Sequence, residues 1–268
     1  DADSLAVDAQ TAFGQGKVPQ GIDLLRMSLN YNRGMDRLPA VAQNLNDLGV
    51  LTMTAGDYPA AQRYLEEAQE LYGRLGDKAG MVSAKLNLVS LRIKQGTVAS
   101  VMEELSPILV LAQQANAPGV EASIHNEMGR ALAQDKKYDE ALSHFEKALD
   151  LYRGRKSPQG ESAGLHNLAD VHIALGKPDK AKELLDKAIA IDKVNQMWPS
   201  LGDDLYLQGV AVEAMGDRAG ALHVYERSFY VFRYTSAPRR MDAARDAITK
   251  LGGTPPPDQA PGQLPSKK

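Results

Sequence analysis

Apolar residues fall at helical intervals through most of the chain, in short runs that stop and restart. From about position 42 to 54, Leu45, Leu48 and Leu51 mark one helical face, and Gly56-Asp57 then interrupts it as a helix-ending glycine does. Pro59 suits the first turn of a second helix, where its missing N–H is not needed, and Ala61, Leu65 and Ala68 follow at i, i+4 and i+7. The stretch GDYPAAQRYLEEA, residues 56–68, therefore predicts the turn and second helix of a hairpin, helix A followed by helix B. Its small residues mark where two helix axes cross, because larger side chains would push the axes beyond the usual ~8–10 Å.

The pattern repeats in steps of 40. Small or modest residues recur at Ala9, Gly49, Val89, Gly129, Ala169 and Gly209; at Gly21, Ala61, Val101, Ala141, Ala181 and Ala221; and at Ser28, Ala68, Ile108, Ala148, Ala188 and Ser228. A bulky ladder, Leu25, Leu65, Leu105, Phe145, Leu185 and Tyr225, runs between the last two, and Gly16, Gly56, Gly96, Lys136, Gly176 and Gly216 form a turn ladder. Six copies without an insertion predict an all-α solenoid, in which each hairpin covers a face its neighbour cannot bury alone. The units run 2–41, 42–81, 82–121, 122–161, 162–201 and 202–241.

Three places depart from the regular copy. The third unit carries Val89, Val101 and Ile108 where small residues are expected, and Pro107 inside helix B predicts a kink or a shortened helix. Residues 238–252, with Met241, Ala244, Ile248 and Leu251 at helical spacing, predict a helix that caps the last repeat. Beyond it, 253–268 is rich in proline and poor in bulky apolar residues, which predicts a flexible tail.

Composition narrows the function classes. The 268 residues carry 31 basic and 34 acidic side chains, a formal net charge of −3, so there is no cationic excess for phosphates and a nucleic-acid partner is not expected. No apolar run reaches the ~18 residues of a spanning helix. The chain starts DADSL without a Met, consistent with a removed export signal or a trimmed chain, and has no Cys, which excludes disulfides and thiolate chemistry. Together these lean towards an exported, periplasmic bacterial protein over a cytoplasmic one.

The order of residues in LNDLG…GDYPAAQRYLEEA and HNEMG…KKYDEALSHFEKA resembles the tetratricopeptide repeat (TPR), and the 40-residue period is similar to the long-repeat subtype of kinesin light chains and LGN-type scaffolds. The resemblance covers residues 2–241. It implies a right-handed superhelical solenoid of six hairpins plus the capping helix, whose concave surface is lined by helix A. Around the marker positions that surface would present Asn46, Asp47, Asn87, Asn126, Glu127, Arg130, His166, Asn167, Asp170 and Tyr206. Asn126 with Arg130, and His166 with Asp170, share a helix face at i, i+4, and asparagine can both donate to and accept from a peptide main chain. The alternative is a structural ladder in which Arg130 and Asp170 pair across adjacent copies. A carboxylate clamp, which needs Lys and Arg beside Asn, is disfavoured because only Arg130 supplies a cation near Asn87 and Asn126.

Catalytic signals are missing: the chain has no G-x-S-x-G, no Walker-type loop and no H-E-x-x-H. His125, His144, His166, His172 and His223 include no i, i+4 pair, so neither a metal nor another cofactor is expected, although His125 and His166 could approach from adjacent copies. Tyr72, Tyr152 and Phe232 recur near the end of helix B as packing residues, and Trp198 reads as an inter-repeat packing residue. The expected function is a non-enzymatic scaffold or adaptor that captures a protein or peptide segment in the groove. The alternatives are a self-associating structural protein and a peptide-sensing regulator.

Overall fold

The computed structural model describes residues 1–96, 100–114 and 116–257. Among these the chain is all-α, with thirteen helices and no strand. Two compact units divide it, residues 1–136 and 137–268. The first holds α1 (Ala2–Gly14), α2 (Val18–Gly34), α3 (Leu38–Ala55), α4 (Tyr58–Leu75), α5 (Lys78–Lys94), α6 (Val101–Gln114) and α7 (Pro118–Gln134). The second holds α8 (Tyr138–Gly154), α9 (Pro158–Ala174), α10 (Pro178–Val194), α11 (Trp198–Ala214), α12 (Arg218–Tyr234) and α13 (Pro238–Lys250).

Helix ends are set by a strict local rule. A residue with positive φ stands at 16, 36, 56, 76, 96, 116, 136, 156, 176, 196, 216 and 236, one per helix junction. At Gly56, φ is 82°, and the amides of Gly56 and Asp57 turn back to the carbonyls of Met53 and Thr52, closing the helix. Lys156 holds the same left-handed place at φ 52° despite its Cβ, so the turn is imposed by the packed helices on either side, α8 and α9. The next helix then starts on a side-chain cap where the sequence offers one. Asp57, Asp77 and Asp217 accept from the amides of Ala60, Gly80 and Gly220.

Packing follows the ladders. No member of the bulky ladder, from Leu25 to Tyr225, is more than 1% exposed. A Cβ on Gly49 would lie 2.5 Å from the Leu65 side chain, and one on Gly209 would lie 2.5 Å from the Tyr225 ring. The small residue is therefore required for the bulky one to seat. Successive helices pack on each other within each unit, and the first helices of neighbouring hairpins also touch: α3 with α5 and α5 with α7 in the first unit, α9 with α11 in the second. Each unit thus presents a row of helix-A faces side by side.

Helix α6 runs uninterrupted from Val101 to Gln114 through Pro107, and its 14 residues are fewer than the 17 or 18 of the other second helices, in line with the expected shortening. Pro107 is exposed, whereas Leu105 and Ile108 on either side of it are buried. The carbonyl deprived of its partner can be hydrated on that side, and burial of the neighbours holds the helix together. The bulkier third unit is also accommodated, with Val89, Val101 and Ile108 all buried in one apolar cluster.

At the C-terminal end α13 packs on α12 and buries Ala244 and Ile248 completely. Arg218 donates to the Leu251 carbonyl at 2.7 Å and Arg233 to the Pro257 carbonyl at 3.0 Å, so residues 253–257 follow α13 without helical structure. The remainder of the expected tail, 258–268, lies outside the described residues. Among the described residues no helix is long and apolar enough to cross a membrane.

Candidate functional site

In the first unit the expected groove residues lie on α3, α5 and α7. Asn87 on α5 donates to the side-chain oxygen of Asn46 on α3 at 2.9 Å, and Asn46 is only 6% exposed. This bond fastens two helix-A faces together, which takes Asn46 largely out of reach of a ligand. Asp47, one residue on, is half-buried and accepts from Gln43 at 2.9 Å. Burial pushes its carboxyl up, against the hydrogen bonds of Gln43 and Asn46. On α7 the structure brings Asn126, Glu127 and Arg130 together: Arg130 donates to both oxygens of Glu127 at 3.0 and 2.9 Å, and Asn126 to one of them at 3.3 Å. Glu127 is buried, so this guanidinium compensates a carboxylate on its own helix.

The second unit holds a polar cluster of which only His166 was expected. His166 on α9 shares a 2.5 Å hydrogen bond through Nδ1 with Asp204 on α11. Ser162, one turn before His166, donates to Asp192 on α10 at 2.5 Å and lies 3.4 Å from the second oxygen of Asp204. Asp192 and Asp204 are 0% and 1% exposed, and Oδ2 of Asp192 meets no donor. Burial pushes the Asp192 carboxyl up to about 7; the Ser162 hydrogen bond works against this and the adjacent Asp204 carboxylate adds to it. Desolvation disfavours the charged His166 ring, but the hydrogen bond to Asp204 and the charges of Asp204, Asp203 and Asp170 outweigh it and leave the value raised. Ser162 faces carboxylates and not the imidazole, so the three residue types do not form a hydrolytic triad.

Asn167 is half-buried and Asp170 exposed, about one and two turns beyond Ser162 along α9. Tyr206 on α11 packs its ring 5.4 Å from that of Tyr225 at a 53° tilt and borders a cleft between α11 and α13. Trp198 meets Tyr234 edge-on at 5.9 Å and packs on an apolar cluster, in its expected packing role. Among the described residues no group of three or more His, Asp or Glu is arranged to hold a metal.

Sequence reasoning missed Ser162, Asp192 and Asp204. One signal was available. Asp192 occupies the ladder place that Tyr72, Tyr152 and Phe232 fill in other copies, and an acid in an aromatic packing position needs a buried partner.

Comparison with known proteins supports the repeat architecture. A family model described as tetratricopeptide repeat matches residues 120–193. The chain is 26% identical over 203 residues to the regulatory protein AfsR of Streptomyces griseus, and the match spans 75% of this chain but 19% of that protein. Among solved structures, a Rap protein complexed with competence and sporulation factor superposes with a TM-score of 0.69 at 13% identity, covering 94% of this chain and 86% of that one. A kinesin light chain of Podosopora anserina with nearly identical TPR-like repeats superposes with a TM-score of 0.53 at 19% identity, covering 72% of this chain and 95% of that one.

Proposed function

We propose that this chain, whose residues 120–193 match a tetratricopeptide-repeat model, is a non-enzymatic scaffold or adaptor that captures a segment of a partner protein on its helix-A rows. The observation that carries this reading is the lateral contact of helix A with helix A in each unit, which sets partly exposed polar side chains side by side. Asn87, Asn126, Asn167 and Asp170 offer donors and acceptors to a peptide backbone from rigid helices, while the more buried Asn46, Asp192 and Asp204 bond to neighbouring helices. Rigid placement of a few polar groups lowers the ordering cost of capturing an extended chain.

The test compares capture from native extract by the intact protein and by a variant carrying Asn126→Ala, Asn167→Ala and Asp170→Ala. None of these changes strips a buried carboxylate of its cation, and circular dichroism checks the fold. Loss of a bound protein from the variant is the expected result. Identical captured sets would overturn the assignment of the helix-A rows.

A second reading, a peptide-sensing regulator, is favoured by the match to part of a regulatory protein and by the fold shared with a Rap protein complexed with competence and sporulation factor. Both readings use the same captured segment and differ in whether its binding changes a further activity.

A further inference from the structure

The cleft between α11 and α13 has a volume of about 810 Å³. Its α11 wall presents Tyr206, Val210 and Glu213, which follow Asp203 along one stripe of the helix. Two cations from α13 already bridge to that stripe. Arg240 reaches Asp203 at 3.1 Å, and Lys250 reaches Glu213 at 3.1 Å, where Tyr225 also donates at 2.9 Å. Between these bridges α13 lines the cleft with the short side chains of Ala243 and Ala247 and with Asp246.

The bridged charges cancel in pairs. What remains is Asp246, exposed on the cleft wall and without a hydrogen bond or ion pair among the described residues. The middle of the cleft therefore combines an apolar floor, an aromatic ring and one unspent negative charge. A basic side chain matches all three: its aliphatic stem lies on Val210, Ala243 and Ala247, and its head meets Asp246 beside the Tyr206 ring. Arg240 and Lys250 show, within the molecule, that cations are the groups this stripe engages.

We infer that the cleft is a subsite for one arginine or lysine side chain of the captured segment. The inference rests on the reading of the helix-A rows as a capture surface and specifies the chemistry at one position of it.

Dye-labelled glycine–serine peptides carrying arginine, or citrulline as its neutral isostere, or glutamate at the same place are titrated against the full chain, with the Ala243 and Ala247 methyl signals followed by NMR. The arginine peptide is expected to bind about tenfold more tightly than the citrulline peptide and to shift both methyl signals. Asp246→Asn should remove that difference, whereas Asp242→Asn, a matched charge change at a residue paired with Arg245 outside the cleft, should leave it intact. Equal binding of the arginine and citrulline peptides, or equal effects of the two Asp→Asn changes, would overturn the subsite and leave the capture surface standing. Absence of binding by every peptide also overturns it, and the extract experiment then decides separately whether the helix-A rows capture anything.

Discussion

Two junctions in the molecule occupy the same place in the repeat and solve it with different chemistry. In the first unit Asn32 on α2 donates to Asn44 on α3 at 2.8 Å, and Asn44 donates to Ser28, which donates to the Ala2 carbonyl. Four repeats later, in the second unit, Asp192 and Asp204 stand at the equivalent positions and bind Ser162 and His166. Each junction buries both residues almost completely and leaves one oxygen without a donor, Asn32 Oδ1 in one and Asp192 Oδ2 in the other. The amide junction supplies its own donors at any pH. The carboxylate junction has acceptors in excess, and burial there favours a protonated Asp192. Ala112 fills the place in the third unit, and aromatics fill it at Tyr72, Tyr152 and Phe232; the Tyr72 ring lies over Gly80 so closely that a Cβ there would meet it at 2.2 Å. The repeat thus tolerates apolar, amide and acid fillings, and only the last ties packing to protonation.

The largest expected effect comes from removing the centre of each polar junction. Asp204→Ala takes away the partner of both His166 and Ser162 and leaves Asp192 buried, and should destabilise the second unit by about 3–5 kcal/mol. Asn44→Ala leaves a neutral amide and a hydroxyl short of partners, and should cost the first unit about 1–3 kcal/mol. Hydrogen exchange of α9–α11 and of α1–α3 reads the two losses separately, which matters because repeat arrays need not unfold in one step. Equal losses would mean that the acid junction carries no more electrostatic weight than the amide one.

A smaller effect distinguishes the two by pH. The folded state holds Asp192 protonated up to about 7, whereas the unfolded chain releases that proton near 3.8, so the folded state binds more protons between these values. Stability of the second unit therefore falls as pH rises through this window, by up to about 1.4 kcal/mol per pH unit for each extra proton bound. His166 acts with the same sign: its raised value stabilises below its unfolded value of 6.5, and the contribution is lost as pH rises through the folded one. Asp192→Asn combined with Asp204→Asn copies the amides of the first junction and should flatten the dependence. Urea titrations followed by the single tryptophan, Trp198 at the start of α11, check it; a slope unchanged in the double variant would remove Asp192 as its source.

Local repetition was legible in the chain and cross-helix chemistry was not. The bulky ladder and the turn ladder identify buried leucines and helix ends because each depends on residues a few positions apart. The partners of Asp192 stand 30 and 12 positions away, on other helices, and an aspartate at the end of helix B is ordinarily a solvated charge. Asn46 and Glu127 were expected to face a ligand on their position beside the markers, and the structure turns both to their neighbours, Asn87 and Arg130. Tyr206 could be singled out because it belongs to no aromatic ladder. Its cleft could not, since Ala243, Asp246 and Lys250 come from a helix outside the repeat.

The smallest effect supplies the opposite sign of pH dependence, in the first unit. Arg92 on α5 donates through two nitrogens to the two oxygens of Glu104 on α6, at 2.7 and 2.6 Å, and Ser100 adds a third bond. The Arg92 hydrogen bonds hold the Glu104 carboxyl at about 2, with Ser100 and the charges of Arg92 and Lys85 assisting against burial. A depressed carboxyl stabilises above its unfolded value of 4.5, and the contribution is lost as pH falls towards about 2. Solvent reaches 27% of the Glu104 side chain and 34% of Arg92, so screening limits the pair to about 1 kcal/mol. Glu104→Gln should lower the protection of α4–α6 amides from exchange near neutral pH and leave it unchanged in acid, where the native pair is already broken. Glu104 thus loses its contribution as pH falls from 4.5 towards about 2, whereas Asp192 loses its contribution as pH rises from 3.8 towards about 7, so the two carboxyls act with opposite signs and in largely separate windows.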